Sequence, residues 1–205
     1  MCSKDLPYEY RNKLWDILSK KDRTSFKLEG CQYILNKLNA LERPKMLTSE
    51  YKFKVELAVD CFLAEIISAM DSLLQEINNR LNLGLSQREV NRKNIIKKLK
   101  HIYNYDNKKI ADLLQDIYDI KYKNWLWRLK EYRNIAIHRS PLKFINTFTL
   151  NKTKGIEFKE IILKPLCGDP DPKEREVLKY LSNSLINMRR LVKAIKNKLT
   201  SLNNY

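Results

Sequence analysis

The longest regular pattern in the sequence is an apolar stripe between residues 55 and 81. Its members advance by three or four positions: Val55, Val59, Phe62, Ile66, Met70, Leu73, Ile77 and Leu81. This spacing keeps side chains on one face of an α-helix, which has 3.6 residues per turn. Leu63, Ile67 and Leu74 widen the stripe, so we expect a long central helix that several neighbouring elements contact.

The same periodicity predicts further helices on both sides of the central one. A short helix is predicted near Pro7, with Leu14, Trp15 and Leu18. The next contains Cys31 to Leu41 and ends before Pro44. Ser86 and Glu89 have the spacing of a capping box that opens a fourth helix. A fifth begins at Asp106 and continues, with a break near Lys121, to about His138. A last helix follows Asp171 as N-cap, with an apolar stripe from Leu178 to Leu199.

One segment departs from helical spacing. Residues 144–150 and 156–163 are rich in β-branched and aromatic side chains, and residues 151–155 between them have turn composition. We expect a β-hairpin over about 144–163 that packs on the helices or pairs with another chain, because an isolated hairpin is marginally stable. Only 4 glycines and 6 prolines occur in 205 residues. The sequence therefore predicts one mainly α domain over 1–205, a multi-helix bundle with a hairpin appendage.

Composition also limits the compartment and the cofactors. No apolar run approaches the roughly 18 residues of a membrane span, and the first residues are charged, so we expect a cytoplasmic protein without membrane association. The four cysteines, Cys2, Cys31, Cys61 and Cys167, lack metal-binding spacing. We expect reduced thiols, no metal and no cofactor, with Cys61 buried in the run Val59–Leu63.

The positive charge is concentrated in the second part of the chain. The net charge is +16, yet residues 1–82 contain 13 Lys/Arg and 12 Asp/Glu, whereas residues 83–205 contain 27 and 12. The two parts therefore carry +1 and +15. This asymmetry favours a polyanionic partner, nucleic acid before a membrane surface. A solvated basic face without a ligand is the alternative.

The most specific chemical pattern lies near the end of the predicted fifth helix. Arg133 is followed by Asn134 and, five positions after the arginine, by His138. This segment resembles the HEPN family (higher eukaryotes and prokaryotes nucleotide-binding), whose signature is Arg, four to six residues, then His, commonly with a polar residue directly after the Arg. The resemblance implies a metal-independent endoribonuclease that cleaves single-stranded RNA and leaves a 2′,3′-cyclic phosphate, in a toxin or antiviral effector.

The residue types suit that chemistry. Histidine exchanges protons near neutral pH, so His138 is the candidate acid or base. Arg133 is the candidate phosphate ligand, and Asn134 would orient His138 or bind a phosphate oxygen. Further RNA contacts are predicted from basic side chains on the fourth and fifth helices: Lys97, Lys100, Arg128, Lys130 and Arg139. A helix-end histidine and a structural ion pair of Arg133 are the alternatives without catalysis.

Helical geometry separates the two motif residues. Arg133 and His138 are about 140° apart on one helix. The resemblance implies a homodimer in which two copies of the 125–139 helix share one cleft. We expect Trp125 or Trp127, Tyr132 and Ile137 to seal the contact. An antitoxin or regulatory partner is a further expectation. Two other readings remain: a catalytically silent HEPN-like module that binds RNA, a nucleotide or a protein, and a helical scaffold that contacts nucleic acid.

Overall fold

The protein is described by a computed structural model that covers residues 16, 22–41, 48–102, 105–117, 125–138, 142–151, 155–169 and 171–202. The helices in this part are α1 (Arg23–Asn39), α2 (Ser49–Arg80), α3 (Arg92–His101), α4 (Tyr105–Asp116), α5 (Trp125–His138) and α6 (Val177–Leu202). The strands are β1 (Phe144–Asn151), β2 (Gly155–Leu163) and β3 (Arg175–Glu176). The mainly α fold with a hairpin is therefore as predicted.

The central helix is α2, and its wide apolar stripe explains its position. It contacts α1, α3, α5 and α6. The stripe residues are almost completely buried, among them Val59, Phe62, Ile66, Leu73 and Ile77. Thr48 caps the start of α2 by accepting a hydrogen bond from the Tyr51 backbone N–H. The apolar periodicity thus predicted both the length of this helix and its central place.

The chain leaves α2 through a loop that one side chain fixes. Asn78 accepts a hydrogen bond from the Leu85 N–H at 3.1 Å and donates one to the Leu85 carbonyl at 3.0 Å. Gly84 lies between them with a φ of 71°, a conformation that favours glycine. This loop directs residues 86–91 back across α2, so that α3 begins beside it.

Two predicted helix starts are corrected by the structure. Ser86 and Glu89 do bond to each other, but residues 87–89 form a turn, and α3 begins six residues after Ser86 with Asn91 as its cap. Asp171 does not cap the last helix. Glu176 does, because its carboxylate accepts hydrogen bonds from the N–H groups of Leu178 and Lys179. Sequence spacing alone could not choose between neighbouring polar residues.

Two of the sequence predictions concern residues that the structure does not describe. The helix predicted near Pro7 lies outside the described residues, and so does the predicted break near Lys121.

Cys61 is exposed on α2, which corrects the expectation that it is buried. The apolar run Val59–Leu63 surrounds more than half of the helix, and Cys61 points away from the buried side. Cys31 is the buried thiol, and burial raises its pKa. Cys31, Cys61 and Cys167 are unpaired.

The hairpin has the predicted limits and gains a third strand. β1 and β2 pair antiparallel from Phe144↔Leu163 to Asn151↔Gly155, with an irregularity between Thr147 and Phe148. β3 pairs with the end of β2, which places β2 in the middle of the sheet. Ile161 and Leu163 are buried, and both β2 and β3 contact α6. The base of the hairpin therefore packs on the helices.

A buried carboxylate holds α5 against this end of the molecule. Asp169, whose side chain is 0% exposed, accepts hydrogen bonds from Arg128 Nε at 2.8 Å and Nη2 at 3.0 Å. Arg175 Nη2 approaches the same carboxylate at 3.3 Å. One turn after Arg128, the Tyr132 hydroxyl donates to the Lys164 carbonyl. These contacts fix one side of α5, so that its opposite side faces α2.

Replacing Asp169 should therefore destabilise the protein strongly. Asp169→Ala leaves two mostly buried guanidinium groups without their carboxylate, and we expect a loss of about 3–5 kcal/mol in unfolding free energy by urea denaturation. Asp171→Ala is the matched control. Its side chain is about half exposed, and we expect a change below about 1 kcal/mol. Equal effects of the two substitutions would contradict the assignment.

The same carboxylate predicts a pH dependence. Burial alone would raise the pKa of Asp169, but hydrogen bonds from Arg128 and the Asp171 backbone outweigh it and lower the pKa below 3.8. A lowered pKa in the folded state means that the stabilisation is present above pH 3.8 and is lost as pH falls below it. The unfolding free energy of Asp169→Ala should therefore lack the decrease at low pH that protonation of this carboxylate causes in the wild type.

Candidate functional site

The motif arginine lies where α5 packs on α2. The preceding residues of the same row, Leu126 and Leu129, are buried in the core, and α5 contacts α2 along this side. Arg133 continues the row and is half-buried. A guanidinium in an otherwise apolar row is unusual, because charged side chains are rarely buried without a partner.

The contacts of Arg133 leave part of its guanidinium unsatisfied. Its Nη1 donates to the Asn134 Oδ1 at 3.4 Å. Its Nε is buried and has no hydrogen-bond partner. No described carboxylate lies within ion-pair distance of Arg133, so the structural ion pair considered as an alternative does not form among the described residues. Buried donors are normally paired, so the unpaired Nε distinguishes Arg133 from Arg128, whose donors bind Asp169.

Asp71 is the acid that faces this position from α2. Partial desolvation raises the pKa of Asp71, and the nearby positive charges of Arg133 and Lys130 oppose that rise without cancelling it. Asp71 was not singled out from the sequence. The available signal was its place on the central helix directly after Met70, next to the apolar stripe. Only the packing of α5 on α2 brings it opposite Arg133.

The structure describes the backbone of His138 but not its side chain. His138 is the last residue of α5, so it shares one continuous helix with Arg133 and Asn134. Positions five apart on a continuous helix differ by about 140° around its axis, so the predicted angular separation of Arg133 and His138 stays a prediction. Asn134 is half-buried, and its Oδ1 accepts a hydrogen bond from Arg133.

The residues predicted to bind RNA divide into two groups. Lys97, Lys100 and Lys130 are exposed, and Lys100 Nζ donates to Gln115 Oε1 at 2.7 Å. Arg128 is 14% exposed and bidentate on Asp169, so its contact is a structural ion pair. Arg139 lies outside the described residues. The exposed lysines thus stay candidates, whereas the structure gives Arg128 a different partner.

The described residues also bear on metals and membranes. Within these ranges, no group of three or more histidine, cysteine and carboxylate side chains is placed to hold a metal ion. None of the described helices combines the length and hydropathy that a transmembrane span requires.

Comparison with known proteins identifies the family. The described residues form a helical bundle with Arg133, Asn134 and His138 on α5. The family model described as Cthe2314-like HEPN matches residues 25–205, which is most of the chain. The chain therefore belongs to the HEPN family. No curated protein and no solved structure matches it.

The position of Asp71 generates a prediction about anion binding. Asp71→Asn removes the negative charge opposite Arg133 and Lys130 without changing side-chain size. We expect single-stranded RNA to bind roughly two- to fivefold more tightly at low salt, measured by fluorescence anisotropy, and the gain to shrink at high salt. Asp112→Asn, an exposed position on α4, is the matched control. Weaker binding by Asp71→Asn would show instead that Asp71 holds Arg133 in its binding position.

Proposed function

We propose that this protein is a metal-independent endoribonuclease of HEPN type that cleaves single-stranded RNA. Arg133 binds the phosphate that reacts, His138 transfers the proton, and Asn134 assists both. Membership of the HEPN family supports the class of module. The activity itself is our inference from the chemistry of the motif and its surroundings.

The unsatisfied Arg133 guanidinium carries this proposal. A structural arginine would have its donors paired with carboxylates or carbonyls, as Arg128 has on Asp169. Arg133 instead has a buried Nε without a partner and a long bond to the neighbouring Asn134. A phosphate at the accessible part of this half-buried guanidinium would gain charge stabilisation in a site that excludes part of the solvent.

The reaction needs little beyond these groups. A base removes the proton of the 2′-OH, the oxygen attacks phosphorus, and an acid protonates the 5′ oxygen that leaves. His138 is suited to one of these transfers because imidazole titrates near neutral pH. Arg133 stabilises the additional negative charge of the phosphorane. Asn134 accepts from Arg133 through its oxygen, which leaves its NH₂ group as a donor toward the phosphate.

A second copy of the chain would complete the site. Because residues five positions apart differ by about 140° around a helix, two helices related by a two-fold axis would be needed to place both residue types in one cleft. The earlier expectation that Tyr132 seals this contact is corrected by the structure. Tyr132 is 2% exposed and bonded to Lys164 inside its own protomer. Trp125 and Trp127 also pack against the protomer core.

An exposed apolar face on α2 favours this assembly. Phe53 is 64% exposed and Leu57, one turn later, is 51% exposed. Phe53 and Asp71 are five turns apart on α2, about 3.6 residues per turn, so they share a face. A partner that covers Phe53 and Leu57 would therefore lie along the same side of the molecule as Asp71 and Arg133. Exposed apolar surface of this kind is typical of an interface.

A nuclease of this kind would act on the RNA of its own cell unless restrained. We therefore include in the proposal a role as a toxin or antiviral effector, with an antitoxin or regulatory partner.

The catalytic proposal predicts activity without divalent metal. Purified protein should cleave single-stranded RNA in EDTA, and Arg133→Ala and His138→Ala should each lower the rate by at least about a hundredfold, because each removes an electrostatic or acid–base group. Matched controls are Arg190→Ala and His101→Ala, which change the same residue types at exposed positions on other helices. Cleavage is measured with a labelled oligonucleotide, and the product end is tested for a 2′,3′-cyclic phosphate.

Unchanged rates in both motif variants, or abolition of cleavage by EDTA, would contradict the mechanism. If His138→Ala and wild type bind RNA equally and neither cleaves it, the catalytically silent module becomes the better reading. Expression of the wild-type chain should slow growth, and His138→Ala should relieve the effect.

The assembly is tested separately. Light scattering coupled to gel filtration should give the mass of a dimer, and the double variant Phe53→Ser with Leu57→Ser should shift it to the monomer because the covered apolar surface is lost. Asn79→Ser, an exposed polar position near the other end of α2, is the control and should stay dimeric. A wild-type monomer, or a double variant that remains a dimer, would overturn this interface.

A further inference from the structure

A cavity of about 360 Å³ opens in the groove between α2, the start of α3 and α5. Its volume is in the range of small-ligand sites. The floor is formed by five apolar side chains, which are Ile67, Met70, Leu74, Val90 and Leu126. The edge carries polar and charged residues, which are Asp71, Asn91, Arg92, Lys93 and Lys130.

The charges around the cavity favour an anion. The lining contains three cationic side chains, Arg92, Lys93 and Lys130, and one carboxylate, Asp71. Lys93 and Lys130 are exposed at the edge, on opposite sides of the groove. Arg92 is half-buried, and its Nη1 donates to the Leu114 carbonyl at 3.4 Å. The positive end of the α3 dipole also lies here, with Asn91 as the cap.

The cavity lies beside the motif arginine along α5. Leu126, Lys130 and Arg133 are four and three residues apart on α5 and lie on the same side of the helix. At about 1.5 Å per residue, Lys130 precedes Arg133 by about 4.5 Å along the axis. Asp71 lines the cavity and also lies within the electrostatic reach of Arg133. A strand bound at Arg133 can therefore continue into the cavity.

We propose that this cavity is a nucleotide subsite of the RNA-binding groove. It takes one base on its apolar floor, and Lys93 and Lys130 bind the phosphate of that nucleotide. An inorganic anion would use the lysines and leave the apolar floor in water, whereas a base covers that floor through its flat face. This inference rests on the proposed function, because it names a subsite for the same RNA substrate next to the reacting phosphate.

A substrate that cannot react separates binding from cleavage. The probe is a fluorescent 2′-O-methyl tetranucleotide, whose blocked 2′ oxygen prevents attack on phosphorus. Lys93→Ala and Lys130→Ala should each raise its Kd by about tenfold, as expected for the loss of one charge-assisted phosphate contact. The slope of log Kd against log salt should fall by about 0.7 for each variant. Lys98→Ala, exposed on α3 but outside the cavity lining, is the matched control and should bind as wild type does.

Competition tests the apolar floor. AMP should displace the tetranucleotide at a concentration at least about tenfold lower than ribose 5-phosphate, because only AMP presents a base. The subsite proposal is wrong if AMP and ribose 5-phosphate compete equally well. It is also wrong if Lys93→Ala, Lys130→Ala and Lys98→Ala have equal Kd values. These binding results do not depend on catalysis. Unchanged cleavage by Arg133→Ala and His138→Ala would contradict the proposed mechanism. The binding measurements would still test whether the cavity is a nucleotide subsite.

Discussion

Burial of the α2 stripe is the interaction on which the rest of this structure depends. Four other helices in the described part of the chain contact α2, and its inward side chains are almost completely removed from water. Burying an apolar side chain of this size stabilises the fold by about 1.5–3 kcal/mol, and α2 has more buried apolar residues than any other described helix. The position of α5, and with it the motif, follows from the part of this surface that α1 and α6 leave uncovered.

The ion pairs of the molecule show why one arginine is structural and another is a candidate for function. Arg128 and Arg133 lie on the same helix, about one and a half turns apart. Arg128 faces Asp169, a fully buried carboxylate that accepts from two arginines. Arg133 faces the α2 groove, where its charge opposes the rise in the pKa of Asp71. The two side chains form no ion pair. The two arginines differ because one side of α5 contacts the Asp169 carboxylate, whereas the other side contacts α2.

The same reasoning explains where sequence patterns were insufficient. Ser86 with Glu89 and Asp171 with Pro172 both have the composition of a helix start, yet the helices begin later, at Arg92 and Val177. Local hydrogen bonds of similar strength compete at these positions, and tertiary packing selects among them. Cys61 was misplaced because an apolar run longer than one helical face cannot all be buried. Tyr132 was assigned to a dimer contact, but its own protomer buries it.

The sequence by itself determined the helical class, the central helix, the limits of the hairpin and the spacing of Arg133, Asn134 and His138. These are local properties, since periodicity and side-chain chemistry depend on neighbours within a few positions. Only the tertiary structure decided that Asp71 faces Arg133, that Asp169 holds Arg128, and that Lys93 and Lys130 border one cavity. These pairs are far apart in the chain. The packing of α3 and α5 on α2 brings together Asp71 with Arg133 and Lys93 with Lys130, whereas the loop after β2 places Asp169 against Arg128.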